Sequence, residues 1–167
     1  MRGLSLLLAL TGTIAGYLGW RGLAALIPTD PATASMAVRI GQGTASLLPA
    51  AGVLAAMILT QMAVRFWQGR FDPTAGKDGR YLIVNQRVIS NTVEQMAILA
   101  PAMLALAAGA PSSRMAEVLA VPLVFAIARL VFWAGYLTAP VWRAPGMAAS
   151  FFACLAALGA AVAVWVD

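Results

Sequence analysis

Two short runs carry polar residues whose types and spacing could do chemistry in an otherwise apolar chain. Arg87, Asn91 and Glu94 recur at i, i+4 and i+7, and Ile98 continues the row at i+11, so a helix presents them on one face. Arg129, Phe132 and Tyr136 recur at i, i+3 and i+7, again one face, and Arg143 follows seven residues later. Guanidinium groups grip carboxylates in forked geometry, so these residues could hold a small anionic ligand. A structural reading competes: Glu94 and Arg129 neutralise each other, and Asn91 hydrogen-bonds helices together. The two readings are compatible. A surplus of cations favours the ligand, because Arg87, Arg129, Arg143 and nearby loop arginines outnumber the one carboxylate.

The elements that position these faces are membrane spans. Of 167 residues, 62% are hydrophobic and 10% charged, and the mean hydropathy is +0.85. Average soluble domains are about 45–50% apolar and about 25% charged, and a core this size could not hide the excess. The sequence predicts an integral, multi-pass, all-α membrane protein. Spanning takes about 20 mainly apolar residues, and five stretches qualify: 4–27, 47–64, 88–110, 118–138 and 147–166. Breakers separate them: Pro28 and Pro31, Asp72-Pro73, Pro111-Ser112-Ser113, and Pro140 with Pro145-Gly146. The last two links are short, so the third to fifth helices should be antiparallel neighbours.

The first stretch, behind Met1-Arg2, has some character of a signal peptide, with Ala32-Thr33-Ala34 as a conceivable cleavage site. That site lies far beyond a long apolar run, which favours a retained helix. The run includes Gly12-x-x-x-Gly16, a spacing suited to close helix contact. Arginines and lysines set the orientation. One side receives Arg2, Arg65, Arg70, Lys77, Arg80, Arg87 and Arg143, and the other Arg21, Arg39 and Arg114. The expected topology is a cytoplasmic amino terminus and an external carboxyl terminus, in a bacterial inner membrane. Trp20, Trp67, Trp142 and Trp165 fall near span ends, where amphipathic rings prefer to sit. On this topology Glu94 lies about 10 Å deeper than Arg87, and Arg129 about 15 Å from its own interface, within about one turn of the same depth.

The run Arg87-Val-Ile-Ser-Asn91-Thr-Val-Glu94 is similar to the R-x-x-x-N-x-x-E signature of the MAPEG superfamily, membrane-associated proteins in eicosanoid and glutathione metabolism. Ala128-Arg129-Leu130-Val-Phe132-Trp-Ala-Gly135-Tyr136, with Arg143 downstream, resembles the A-R-x-x-Y-x-x-G-Y segment of its glutathione-using members. The likeness covers the last four helices and leaves the first outside. It implies a four-helix transmembrane bundle over residues 46–167, preceded by one additional helix and connector over 1–45. It further implies a homotrimer, with glutathione as co-substrate between subunits and a lipophilic substrate arriving from membrane lipid. Carried over by position, Arg87, Asn91, Glu94, Arg129 and Tyr136 would bind glutathione, and Arg143 would activate its thiol. A free thiol near pKa 8.5 is mostly protonated at neutral pH, and a close guanidinium favours the reactive thiolate. Departures from the pattern are Ile89, Gln95 and Phe132, the last removing a tyrosine hydroxyl. The implied activity is that of a glutathione-dependent transferase or peroxidase acting on a lipophilic electrophile. The alternative is a non-catalytic lipid-binding or scaffold member of the same fold, and a small transporter is a weaker third.

Other chemistry is excluded or unremarkable. Without histidine the chain cannot build a Ser-His-Asp triad, a Cys-His pair or an imidazole-ligated metal, and no metal site is expected. Cys154 is the only cysteine, which rules out a disulfide scaffold and suggests inert packing. The net charge of +5 is dispersed rather than patched, so no nucleic-acid partner is expected. Gly76-Lys77-Asp78 lacks the spacing and the Ser or Thr of a phosphate loop and reads as a solvated turn. Pro49 and Pro101 are expected inside helices as kinks, and the methionines as core filler.

Overall fold

The computed structural model describes residues 2–28, 35–74 and 76–166. Pro31 and the Ala32-Thr33-Ala34 sequence lie outside the described residues. The chain forms α1 (Arg2–Leu26), α2 (Met36–Ala45), α3 (Leu48–Trp67), α4 (Arg80–Gly109), α5 (Met115–Thr138) and α6 (Ala144–Val166). Short 3-10 turns, Ser112–Arg114 and Pro140–Arg143, join α4 to α5 and α5 to α6. No strand occurs among the described residues. Five helical stretches are long and apolar enough to cross a membrane, α2 and α3 together making one of them, Met36–Trp67.

The expected spans are present, with differences at their starts. The second begins with α2, so Arg39 sits on a helix rather than in a connector. There its guanidinium donates to the carbonyls of Ala107 (3.3 Å) and Ala108 (3.1 Å), satisfying the carbonyl end of α4. Pro49 does not kink a helix interior; it stands in the first turn of α3, where its missing N–H costs no bond. Pro101 does lie inside α4, and Pro122 inside α5. The third span begins at Arg80 rather than near residue 88, because the mixed stretch from Tyr81 to Gln86 still buries Leu82 and Asn85. Arg87 is therefore well inside α4. Arg80 in turn donates to the carbonyls of Leu137 and Thr138, at 3.3 and 3.4 Å, closing the end of α5.

Hydrocarbon surrounds such helices as readily as it surrounds lipid tails, so association rests on close packing and hydrogen bonds. Small residues supply the closeness. The core runs through α4, α5 and α6, with Leu99, Met103, Val118, Phe125, Ala153 and Ala157 buried together. At Gly146 a Cβ would meet the backbone of Ala128 and Phe132, so the start of α6 presses directly on α5. The leading helix packs the same way. A Cβ at Gly12 would meet the backbone of Pro145, and one at Gly16 would stand 3.3 Å from Ala149. The Gly-x-x-x-Gly spacing is thus a seam between α1 and α6, with α5 as the second neighbour of α1.

Candidate functional site

The site forms where α4 passes the end of α5 and the turn leading into α6. Phe132, Tyr136, Arg143 and Met147 meet Arg87, Ser90, Asn91 and Glu94 around an open cavity of about 510 Å³. Gly135 fixes the turn: a Cβ there would meet the carbonyl of Trp142, so only glycine lets Pro140–Arg143 fold against α5. This places the Arg143 guanidinium 4.8 Å from the centre of the Tyr136 ring, a cation–π distance. Five of the six residues expected at the site border the cavity.

Arg129 is the exception. It is fully buried behind the cavity wall, where Nε and Nη2 donate to Thr92 Oγ1 at 3.1 and 2.7 Å. Its Nη1 donates to Asn91 Oδ1 at 3.1 Å and Ser150 Oγ at 3.3 Å, and the group lies 4.0 Å from the Phe132 ring centre. The expected direct pair with Glu94 does not form. Asn91 stands between them, its Nδ2 donating to Glu94 Oε2 at 3.4 Å. An arginine offers only donors, so Asn91 must turn its oxygen inward and its amide hydrogens toward the carboxylate. The partner differs from the expected one: the two charges are joined through the Asn91 carboxamide.

A second correction concerns the loop arginines, which do not join the cavity. Arg65 forms a forked ion pair with Asp78, the shorter arm 2.6 Å. Arg70 donates to the carbonyl of Lys77, and Arg80 closes α5 as described. The cavity-facing cations are Arg87 and Arg143 alone. Arg87, Glu94 and Arg143 are all exposed, and none forms an ion pair among the described residues.

Several contributors were not singled out from sequence. Ser90 lies one turn beyond Arg87, and Met147 one turn beyond Arg143, so helical spacing alone could have found both. Thr92 and Ser150 carry no such signal, because their role is to receive a buried guanidinium. Gln95, the residue after Glu94, points inward and is buried, donating to Met147 Sδ at 3.3 Å. Cys154 is buried, with its thiol 3.5 Å from the Gln95 carbonyl, as expected for packing. No cluster of metal-ligating side chains occurs among the described residues.

This constellation, Arg87 and Glu94 on one face of α4, Arg143 on the turn into α6 and a buried arginine linked through Asn91, follows the order of the two motifs in the chain. The MAPEG family matches residues 46–163, from just before α3 to near the end of α6. The chain belongs to the MAPEG family. It is an integral multi-pass membrane protein of the glutathione and eicosanoid metabolism group. Helix α1 lies outside the matched span. No curated protein and no solved structure matches the chain.

Proposed function

We propose that this MAPEG protein is a membrane-embedded, glutathione-dependent transferase or peroxidase acting on a lipophilic electrophile. The observation that carries the reading is the unpaired set Arg87, Glu94 and Arg143 around one cavity, with a net positive lining. Glutathione at neutral pH has two carboxylates and one ammonium, a complementary pattern. Arg87 binds a carboxylate, Glu94 the ammonium, and Asn91 and Tyr136 the amide and carboxyl groups. Arg129 acts from behind, holding Asn91 in the orientation that faces the ligand. The cavity volume lies in the range of small-molecule sites, about 300–1,000 Å³.

Arg143 serves as the group that favours the thiolate, since a nearby cation stabilises the anionic form. In the transferase reaction the sulfur bonds to the electrophilic carbon, a leaving group departs with the bonding pair, and the thiol proton passes to solvent. In the peroxidase reaction a lipid hydroperoxide is reduced to alcohol and water while two glutathiones become a disulfide.

A charged face within a span is costly unless covered. Arg87, Ser90 and Glu94 are exposed on α4, and a neighbouring subunit closing this face accounts for a shared site in a homotrimer. The end bearing Arg65, Arg80, Arg87 and Arg143 faces the cytoplasm by the distribution of basic residues, where glutathione is the reducing thiol. The test is a thermal-shift titration with glutathione, followed by thiolate absorbance and conjugation of 1-chloro-2,4-dinitrobenzene. Stabilisation and turnover are expected in the full-length protein. Lipid binding without any response to glutathione would instead establish the non-catalytic alternative. An Arg143→Ala variant that conjugates as fast as the parent would remove the assigned mechanism.

A further inference from the structure

The leading helix borders a second cavity that opens beside the first. Ser5, Ala9, Gly12 and Gly16 recur at i, i+4, i+7 and i+11, one face of α1, and all are small. At Gly12 and Gly16 this face touches the backbone of α6. Toward the start of α1, past the contact of Gly12 with Pro145 at the beginning of α6, a cavity of about 310 Å³ lies among Ser5 and Ala9 of α1, the Pro140–Arg143 turn and the first two turns of α6. Its walls include Ala9, Val141, Ala148 and Phe151, together with Arg143 and Met147. Those last two residues also border the polar cavity. Apolar and polar compartments therefore meet at one guanidinium. Phe151, on the same wall, is an apolar ring left 42% exposed.

We infer that α1 and the start of α6 form the acceptor pocket for the lipophilic electrophile, so that a helix outside the family domain selects the second substrate. This rests on the glutathione reading for the identity of the nucleophile. The occupant is an apolar molecule with an electrophilic carbon or peroxide oxygen at one end. Its apolar part lies between α1 and α6, and its reacting end abuts Arg143, within reach of a sulfur held in the polar compartment. Small side chains at positions 5 and 9 are the reason for the space. The opposite face of α1 carries Leu6, Leu7 and Leu10, each at least 59% exposed and directed away from the bundle.

The test has two arms on the full-length protein in lipid nanodiscs. Photolabelling with a diazirine-bearing octanol, competed by 1-chloro-2,4-dinitrobenzene, needs no glutathione. It is expected to mark the peptides containing Ala9 and Val141 to Phe151. Labelling that is confined to other helices, or indifferent to the competitor, overturns the pocket. In the kinetic arm, Ala9→Phe and Ala148→Phe fill the cavity from opposite walls. Each is expected to raise KM for 1-chloro-2,4-dinitrobenzene about tenfold while leaving KM for glutathione unchanged. Leu10→Phe, on the outer face, is expected to change neither. Unchanged kinetics in both filling variants would overturn the assignment even with glutathione chemistry intact. A parent protein that labels in the pocket but ignores glutathione would overturn the nucleophile and leave the pocket standing.

Discussion

At the scale of single residues, two arginines of equal formal charge do different work because their surroundings differ. Arg143 is exposed at the junction of two cavities, so its charge is available to a ligand. We predict that the bound glutathione thiol titrates below its free value near pKa 8.5, since the cation favours the anion. Thiolate absorbance followed against pH measures this directly. In Arg143→Ala the midpoint should move back up toward about 8.5, and kcat at neutral pH should fall by about 10²-fold. Arg129 is buried and bonded only to neutral partners. Its stability depends on Thr92 Oγ1, which accepts two of its N–H groups and itself donates to the Val88 carbonyl at 2.7 Å. Thr92→Val keeps the shape but leaves a guanidinium unsatisfied, at a cost of about 1–3 kcal/mol. A lowered unfolding temperature with KM for the electrophile unchanged is the expected result. Loss of neither stability nor glutathione affinity would mean the buried arginine needs no such acceptor.

At the scale of elements, the helices were legible because spanning segments must be apolar and about 20 residues long, a demand that leaves a direct imprint on composition. The faces bearing Arg87, Asn91 and Glu94 were legible from helical spacing. What spacing could not show was which partner each side chain would choose. Charge alone pairs Glu94 with Arg129, yet Asn91, one turn before Glu94, offers the acceptor that a buried guanidinium requires. Charge likewise assigns the loop arginines to the pocket, but their partners, Asp78 and the carbonyls closing α5, are set by chain path rather than by period. The turn into α6 illustrates the same limit. Gly135 sits in a recognisable motif, but its reason is the close pass of Trp142. Gly135→Val should push that turn outward, destabilising the fold by about 1–3 kcal/mol and displacing Arg143. Circular-dichroism melting with parallel conjugation assays measures both, and activity should fall further than helix content.

At the scale of the whole molecule, the proposed function makes the exposed, charged face of α4 a site of assembly. Native mass spectrometry from detergent is expected to report three copies, and Arg87→Glu, which reverses charge on that face, should weaken both assembly and glutathione stabilisation. A monomer that binds glutathione as tightly as the assembled protein would show that one chain holds the whole site. The two ends of the bundle are also unequal in a practical way. Ser5 and Ala9 lie against the cavity that contains Arg143, whereas Trp165 donates to the Ala105 carbonyl near the far end of α4. On the proposed reading, an affinity tag or fluorescent fusion at the amino terminus is expected to crowd the cavity at Arg143, and the same appendage at the carboxyl terminus to lie at the other end of the bundle. Conjugation rates of the two fusions, measured side by side, are expected to favour the carboxyl-terminal arrangement.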